Sequence, residues 1–131
     1  MAVSKLNIML VEDDDFTRST VKSALMGQGL NIVYDTAFVK DGIEFAKKNR
    51  PDVAVLDYNL GKGPNGIDLA KQLRKIQPEI GIVLLTAFLN PAELDSKISQ
   101  LPAGSRYLVK HSVSDIKVLI NEIAESSKYS A

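Results

Sequence analysis

Short apolar runs alternate with longer amphipathic stretches five times along the chain. This is the pattern of an α/β domain whose parallel sheet is covered by helices on both faces. The apolar runs predict strands at about Leu6 to Val11, Leu30 to Tyr34, Asp52 to Asp57, Ile80 to Thr86 and Arg106 to Val109, the second being the weakest. Helices are predicted between and after them. The first follows Glu12-Asp13-Asp14-Asp15, places Phe16, Val21, Ala24 and Leu25 on one side, and is stopped by Gly27 and Gly29. The second runs from about Phe38 to Lys48, ahead of Pro51, and the third carries Ile67, Leu69, Ala70, Leu73 and Ile76 before Pro78. The fourth spans about Pro91 to Leu101, and the last presents Val113, Ile116, Leu119, Ile120 and Ile123 at helical spacing. Gly61 to Gly66 has the composition of a loop, and Ser126 to Ala131 reads as a short polar tail.

The ends of the strands carry the chemistry. Parallel α/β sheets place functional groups at the carboxyl ends of their strands, in the crevice where strand order reverses. Here Val53-Ala54-Val55-Leu56 ends in Asp57, and Ile8-Met9-Leu10-Val11 breaks into Glu12-Asp13. The fourth strand ends in Thr86-Ala87 and the fifth in Lys110. If the first and third strands are neighbours, their carboxylates converge at one edge of the sheet. Two carboxylates about 4 Å apart repel by roughly 4 kcal/mol at an effective dielectric near 20, so the cluster calls for a cation. Mg²⁺ suits such oxygen donors and bridges readily to phosphate. Lys110 adds a mobile positive charge and Thr86 a hydrogen-bond donor, the two things that a transferring phosphoryl group needs at its equatorial oxygens.

Composition narrows the alternatives. A length of 131 residues suits one domain with a single core. Lys and Arg together number 16 and so do Asp and Glu, so the net charge is zero and no strong field for nucleic acid or membrane follows. The absence of cysteine excludes a disulfide framework, thiolate metal sites and cysteine nucleophiles, and suits a reducing compartment. The start lacks the apolar core of a signal peptide, and no apolar stretch approaches the ~20 residues that span a bilayer. The expectation is a cytoplasmic protein forming one domain over residues 1–131, its core at about 6–126, with a polar tail at 127–131 and no output domain attached in this chain.

Four motifs in fixed order, Val11-Glu12-Asp13, Val55-Leu56-Asp57-Tyr58-Asn59-Leu60, Leu85-Thr86-Ala87 and Tyr107-Leu108-Val109-Lys110, resemble the receiver domain of two-component response regulators. The resemblance covers Leu6 to about Ser126. It implies a flavodoxin-like (βα)5 three-layer sandwich with a parallel five-stranded sheet of order 2-1-3-4-5. It also implies that Asp57 is the nucleophile that takes a phosphoryl group from a phosphohistidine on a sensor histidine kinase or phosphotransfer protein. Asp13, Asp57 and the backbone carbonyl of Asn59 would bind Mg²⁺, with Glu12 supporting through water. Lys110 would pair with the aspartyl phosphate, Thr86 would bond one phosphoryl oxygen, and Tyr107 would turn inward as Thr86 moves. A downstream protein, of identity the sequence does not give, would read the face made by the fourth helix, fifth strand and fifth helix. Such a protein is a signalling phospho-acceptor rather than an enzyme with a separate substrate.

The chain departs from the common receiver pattern in places. His111 stands where many receivers have a cis proline; a non-proline cis bond costs about 2.5–4 kcal/mol, so a trans or strained bond is expected there. The Gly61 to Gly66 loop is one residue longer than usual. Phe88, two residues after Thr86, is bulky and apolar and is expected to hinder the water that hydrolyses the acyl phosphate; Phe88→Glu should dephosphorylate faster than its parent. Other readings of the same residues are weighed against this one. Asp14 and Asp15 fit a charged helix start, and Gly61 to Gly66 lacks the ending of a P-loop and reads as a turn. Haloacid-dehalogenase-type phosphatases also combine Asp, Thr, Lys and Mg²⁺, but they need a second Asp two residues after the nucleophile, where this chain has Asn59. A phosphorylation-independent interaction module would not require all five key residues.

Overall fold

The computed structural model describes residues 3–61, 63–87, 90–109 and 116–129. Lys110, His111 and the bond between them, Phe88 and Val113 therefore lie outside the described residues. A single 3-10 turn at Val3–Lys5 precedes five strands and five α-helices in strict alternation: β1 Asn7–Val11, α1 Asp15–Gly27, β2 Asn31–Thr36, α2 Val39–Asn49, β3 Val53–Asp57, α3 Gly66–Ile76, β4 Gly81–Thr86, α4 Pro91–Ile98, β5 Arg106–Val109 and α5 Ile116–Ser126. The strands form one parallel sheet of order β2-β1-β3-β4-β5. This is the flavodoxin-like order expected from the sequence, with strand order reversing between β1 and β3.

Period-two alternation along the strands divides the core into two layers. Ile8, Leu10, Val53, Val55, Val83 and Leu85 pack with Val21 and Leu25 of α1 and Leu119 and Ile123 of α5. Met9, Val11, Ala54, Leu56, Ile82 and Leu84 face the other way, onto Ala46 of α2 and Ile67, Leu69, Ala70 and Leu73 of α3. All residues of β3 and β4 are buried, which explains why those runs are continuously apolar rather than alternating. Asp57 and Thr86 are thus the terminal residues of the two most deeply buried strands.

Four expectations need correction. Phe16 does not join Val21 and Leu25 on the buried side of α1: it sits in the first turn and is 79% exposed. β2 continues past Tyr34 through Asp35 and Thr36, which pair with Leu10 and Val11; these polar residues carry no apolar signal, and backbone pairing alone extends the strand. α4 ends at Ile98 rather than Leu101, because the Ser99 hydroxyl (2.8 Å) and the Gln100 side-chain amide (3.2 Å) both donate to the Ser96 carbonyl while Gln100 and Leu101 make tight backbone turns. Ser126 belongs to α5 and is fully buried, so it is not part of a solvated tail; Tyr129 beyond it lies over the guanidinium of Arg74, 3.8 Å from the ring centroid.

Candidate functional site

The register of the central strands assembles the site. Val11 of β1 lies opposite Leu56 of β3, so the next residues of the two segments, Glu12 just past β1 and Asp57 at the last position of β3, stand side by side. One carboxylate oxygen each from Glu12, Asp13 and Asp57 lies within 4.8 Å of the others. Glu12 and Asp57 are buried, at 1% and 3% exposure, whereas Asp13 is exposed. Two acidic side chains thus stand at the floor of an open cleft of roughly 460 Å³ and a third stands at its mouth; Asp14, Thr17, Tyr58, Asn59, Thr86 and Ala87 complete the lining. Thr86, fully buried, reaches this cleft from the end of β4.

Each wall has a local cause. Asp14 caps α1, accepting from the backbone amide of Thr17 at 2.8 Å and from its hydroxyl at 2.6 Å. Asp15 accepts from Arg18 at 2.8 Å. These two acids therefore start the helix, while Glu12 and Asp13 line the cleft ahead of it. The amide of Glu12 donates to the carbonyl of Thr36 at the end of β2 (3.0 Å), and its carboxylate accepts from the amide of Asp14 (3.3 Å). On the other side the Tyr58 amide donates to the carbonyl of Leu85 (2.8 Å), holding the exit of β3 against β4.

The loop from Asn59 to Asn65 is closed at its base, where the Gly66 amide donates to the Tyr58 carbonyl at 2.8 Å and the Asn65 side chain donates to the Tyr58 hydroxyl at 3.3 Å. Asn65 and Asp68 form a reciprocal capping box at the start of α3. Leu60 is buried in the second core layer, and Gly61 and Gly63 take φ of +84° and +95°, a backbone conformation suited to glycine. The described residues on either side of Lys62 are thus anchored at both ends of the segment. Asn59 is exposed, and its side-chain oxygen accepts from the Gly61 amide at 3.3 Å.

Glu12, Asp13, Asp57, Asn59 and Thr86 are thus brought to one cleft. Tyr107 is not among its lining residues; it stands opposite Leu84 on β5, and because Thr86 pairs with Val109, Tyr107 and Thr86 share one face of the sheet. At 41% exposure the Tyr107 ring is outward. Lys110 follows Val109 and lies outside the described residues. Thr17 and Tyr58 were not singled out by the sequence, since a helix-turn threonine and a tyrosine after a strand have no distinctive pattern of their own. The two buried carboxylates and the exposed one, all hard oxygen donors with one oxygen each within 4.8 Å of the others, fit Mg²⁺.

Residues 8–123 match the family model of the response regulator receiver domain, and the chain belongs to that family. It is a receiver of the kind found in two-component systems. The cell cycle transcriptional regulator CtrA of Caulobacter vibrioides is 30% identical over 100 residues, which cover 76% of this chain and 41% of CtrA. The chain accordingly spans less than half the length of that regulator. The chemotaxis protein CheY of Thermotoga maritima is 26% identical over 104 residues, covering 79% of this chain and 83% of CheY. The response regulator domain of Thermotoga maritima CheB superposes with a TM-score of 0.80 at 17% identity, over 96% of this chain and 98% of that one, a likeness of fold alone.

Proposed function

We propose that this receiver accepts a phosphoryl group on Asp57 from a phosphohistidine of a sensor histidine kinase or phosphotransfer protein, in a Mg²⁺-dependent reaction. The observation that carries the reading is the grouping of the Glu12, Asp13 and Asp57 carboxylates within 4.8 Å of one another, at a cleft that Thr86 also lines. Glu12, Asp13, Asp57 and the Asn59 carbonyl would hold the metal. When bound, Mg²⁺ supplies the positive charge that lets three carboxylates and an incoming phosphoryl group occupy one small volume.

A carboxylate oxygen of Asp57 attacks phosphorus, a P–O bond forms as the P–N bond breaks, and the electron pair of that bond returns to the donor imidazole. The product is an acyl phosphate. The Thr86 hydroxyl donates to a phosphoryl oxygen, and Lys110 pairs with the charge left on the others. Hydrolysis of the acyl phosphate by water returns Asp57 to its starting state, so phosphotransfer and autodephosphorylation are the only chemistry. The output is a changed surface: drawing Thr86 toward the phosphoryl group opens space on the face it shares with Tyr107, and the ring turns inward. A downstream protein then reads the surface of α4, β5 and α5, in the cytoplasm, without direct contact of this domain with nucleic acid or membrane.

Incubation with acetyl phosphate and Mg²⁺, followed by intact-mass spectrometry, tests this. One phosphoryl adduct is expected in the parent, and none in Asp57→Asn or with a chelator present. An equal adduct in Asp57→Asn would overturn the assignment.

A further inference from the structure

Arg18 stands one turn into α1, with its side chain 19% exposed, and it is not among the residues that line the acidic cleft. Its guanidinium nevertheless reaches back to the segment that carries the acids. One terminal nitrogen donates to the backbone carbonyl of Glu12 at 2.8 Å, the other donates to Asp15 at 2.8 Å, and Nε faces a carboxylate oxygen of Asp35 on β2 at 3.3 Å. Asp35 is itself held by Lys22 at 2.8 Å. The hydrogen bond to Asp15, foremost, and the charges of Asp15 and Asp35 raise the Arg18 pKa above its ordinary value.

The Glu12 carbonyl belongs to the peptide unit that joins Glu12 to Asp13. Its orientation sets the direction in which the Asp13 side chain leaves the backbone. The amide on the other side of Glu12 is already fixed by the Thr36 carbonyl. Arg18 supplies the second clamp, from a helix that has left the sheet, and it ties that clamp to β2 through Asp35. We infer that Arg18 is a positioning residue for the acidic site, holding the Glu12–Asp13 peptide so that the Glu12 and Asp13 carboxylates meet that of Asp57. This inference rests on the proposed reading of the site as a Mg²⁺ site. The planar fork is what the role demands, since three acceptors lie in three directions and a lysine ammonium on a flexible stem cannot match them.

The test is Mg²⁺ binding by the full chain, measured by isothermal titration calorimetry well below the melting temperature, in the parent, Arg18→Met, Arg18→Lys and Asp13→Ala. Groups that orient a metal's own ligands typically contribute about 10–100-fold to affinity. A loss of about tenfold is expected in both Arg18 variants, with lysine failing to rescue although it keeps the charge. A merely structural role would lower the Mg²⁺-free melting temperature and leave the dissociation constant of the folded protein unchanged. If Arg18→Met does not fold, as judged by far-ultraviolet circular dichroism, Arg18→Lys decides alone. Parent-like affinity in Arg18→Lys, while Asp13→Ala loses binding, overturns the positioning role and leaves the metal site standing. Absence of Mg²⁺ binding in the parent overturns the site reading and the inference with it.

Discussion

A β-carbon on Gly66 would stand 2.9 Å from the carbonyl carbon of Asp57 and 2.9 Å from Cδ1 of Leu84, closer than non-bonded carbons tolerate. The Gly66 amide also donates to the carbonyl of Tyr58, so the first turn of α3 sits directly on the end of β3. Any side chain at position 66 must push either that turn or the Asp57 backbone out of place. Overpacking of this kind costs typically 1–3 kcal/mol. Gly66→Ala is therefore expected to lower stability by about 2 kcal/mol in urea denaturation and to slow labelling by acetyl phosphate. Parent-like values in both measurements would show that the turn yields without moving Asp57. At the same scale the proposed nucleophile owes its place to its neighbours: Asp57 is buried at the end of a strand paired with β4 through Leu85, and Glu12 and Asp13, far away in sequence, bring their carboxylates beside its own.

The helices differ in how firmly they are held. α3 buries Gly66, Ile67, Leu69, Ala70 and Leu73, whereas α4 buries none of its residues, and among the described residues its partly buried Ile98 packs against the core. Its start is well made, with Pro91 in the first turn and the Asn90 side chain accepting from the amides of Ala92 (2.9 Å) and Glu93 (3.3 Å). Local capping without burial gives an element that opens readily. Amide hydrogen exchange should be faster in α4 than in α3 at the same pH, and equal protection would contradict this. The end of α5 is tied in the opposite manner. Arg74 of α3 donates to the carbonyls of Ile80 (2.7 Å) and Ala103 (2.6 Å), burial lowers its pKa, and the Tyr129 ring covers it while packing against Gly104. Tyr129→Ala should cost about 1 kcal/mol through the lost cation–π contact and packing, read as a lower urea midpoint with an unchanged slope. No change in midpoint would mean that the ring contributes nothing there.

For the molecule as a whole, the proposed Mg²⁺ site would link folding to metal. Only the folded chain brings Glu12, Asp13 and Asp57 together, so Mg²⁺ at a hundred times its dissociation constant should stabilise it by about 2.7 kcal/mol. The melting temperature of the parent should rise with millimolar Mg²⁺ and that of Asp13→Ala should not; equal shifts in the two would count against the site. The sequence by itself determined the alternation of strands and helices and which strands are buried. Continuous runs such as Val53 to Leu56 and Ile82 to Leu85, alternating with amphipathic segments, suit the centre of a parallel sheet. It also determined which charged and polar residues stand at strand ends, because Glu12, Asp13, Asp57 and Thr86 interrupt apolar runs where a strand must meet solvent. Tertiary structure alone decided the rest. That Phe16 is exposed, that β2 runs on through Asp35 and Thr36, that α4 stops at Ile98, and that Arg18 turns back onto the Glu12 carbonyl all depend on contacts between segments distant in the chain or on side chains capturing backbone groups. Such contacts leave no periodic trace in the sequence, since periodicity records which face of an element is buried and not what it is buried against.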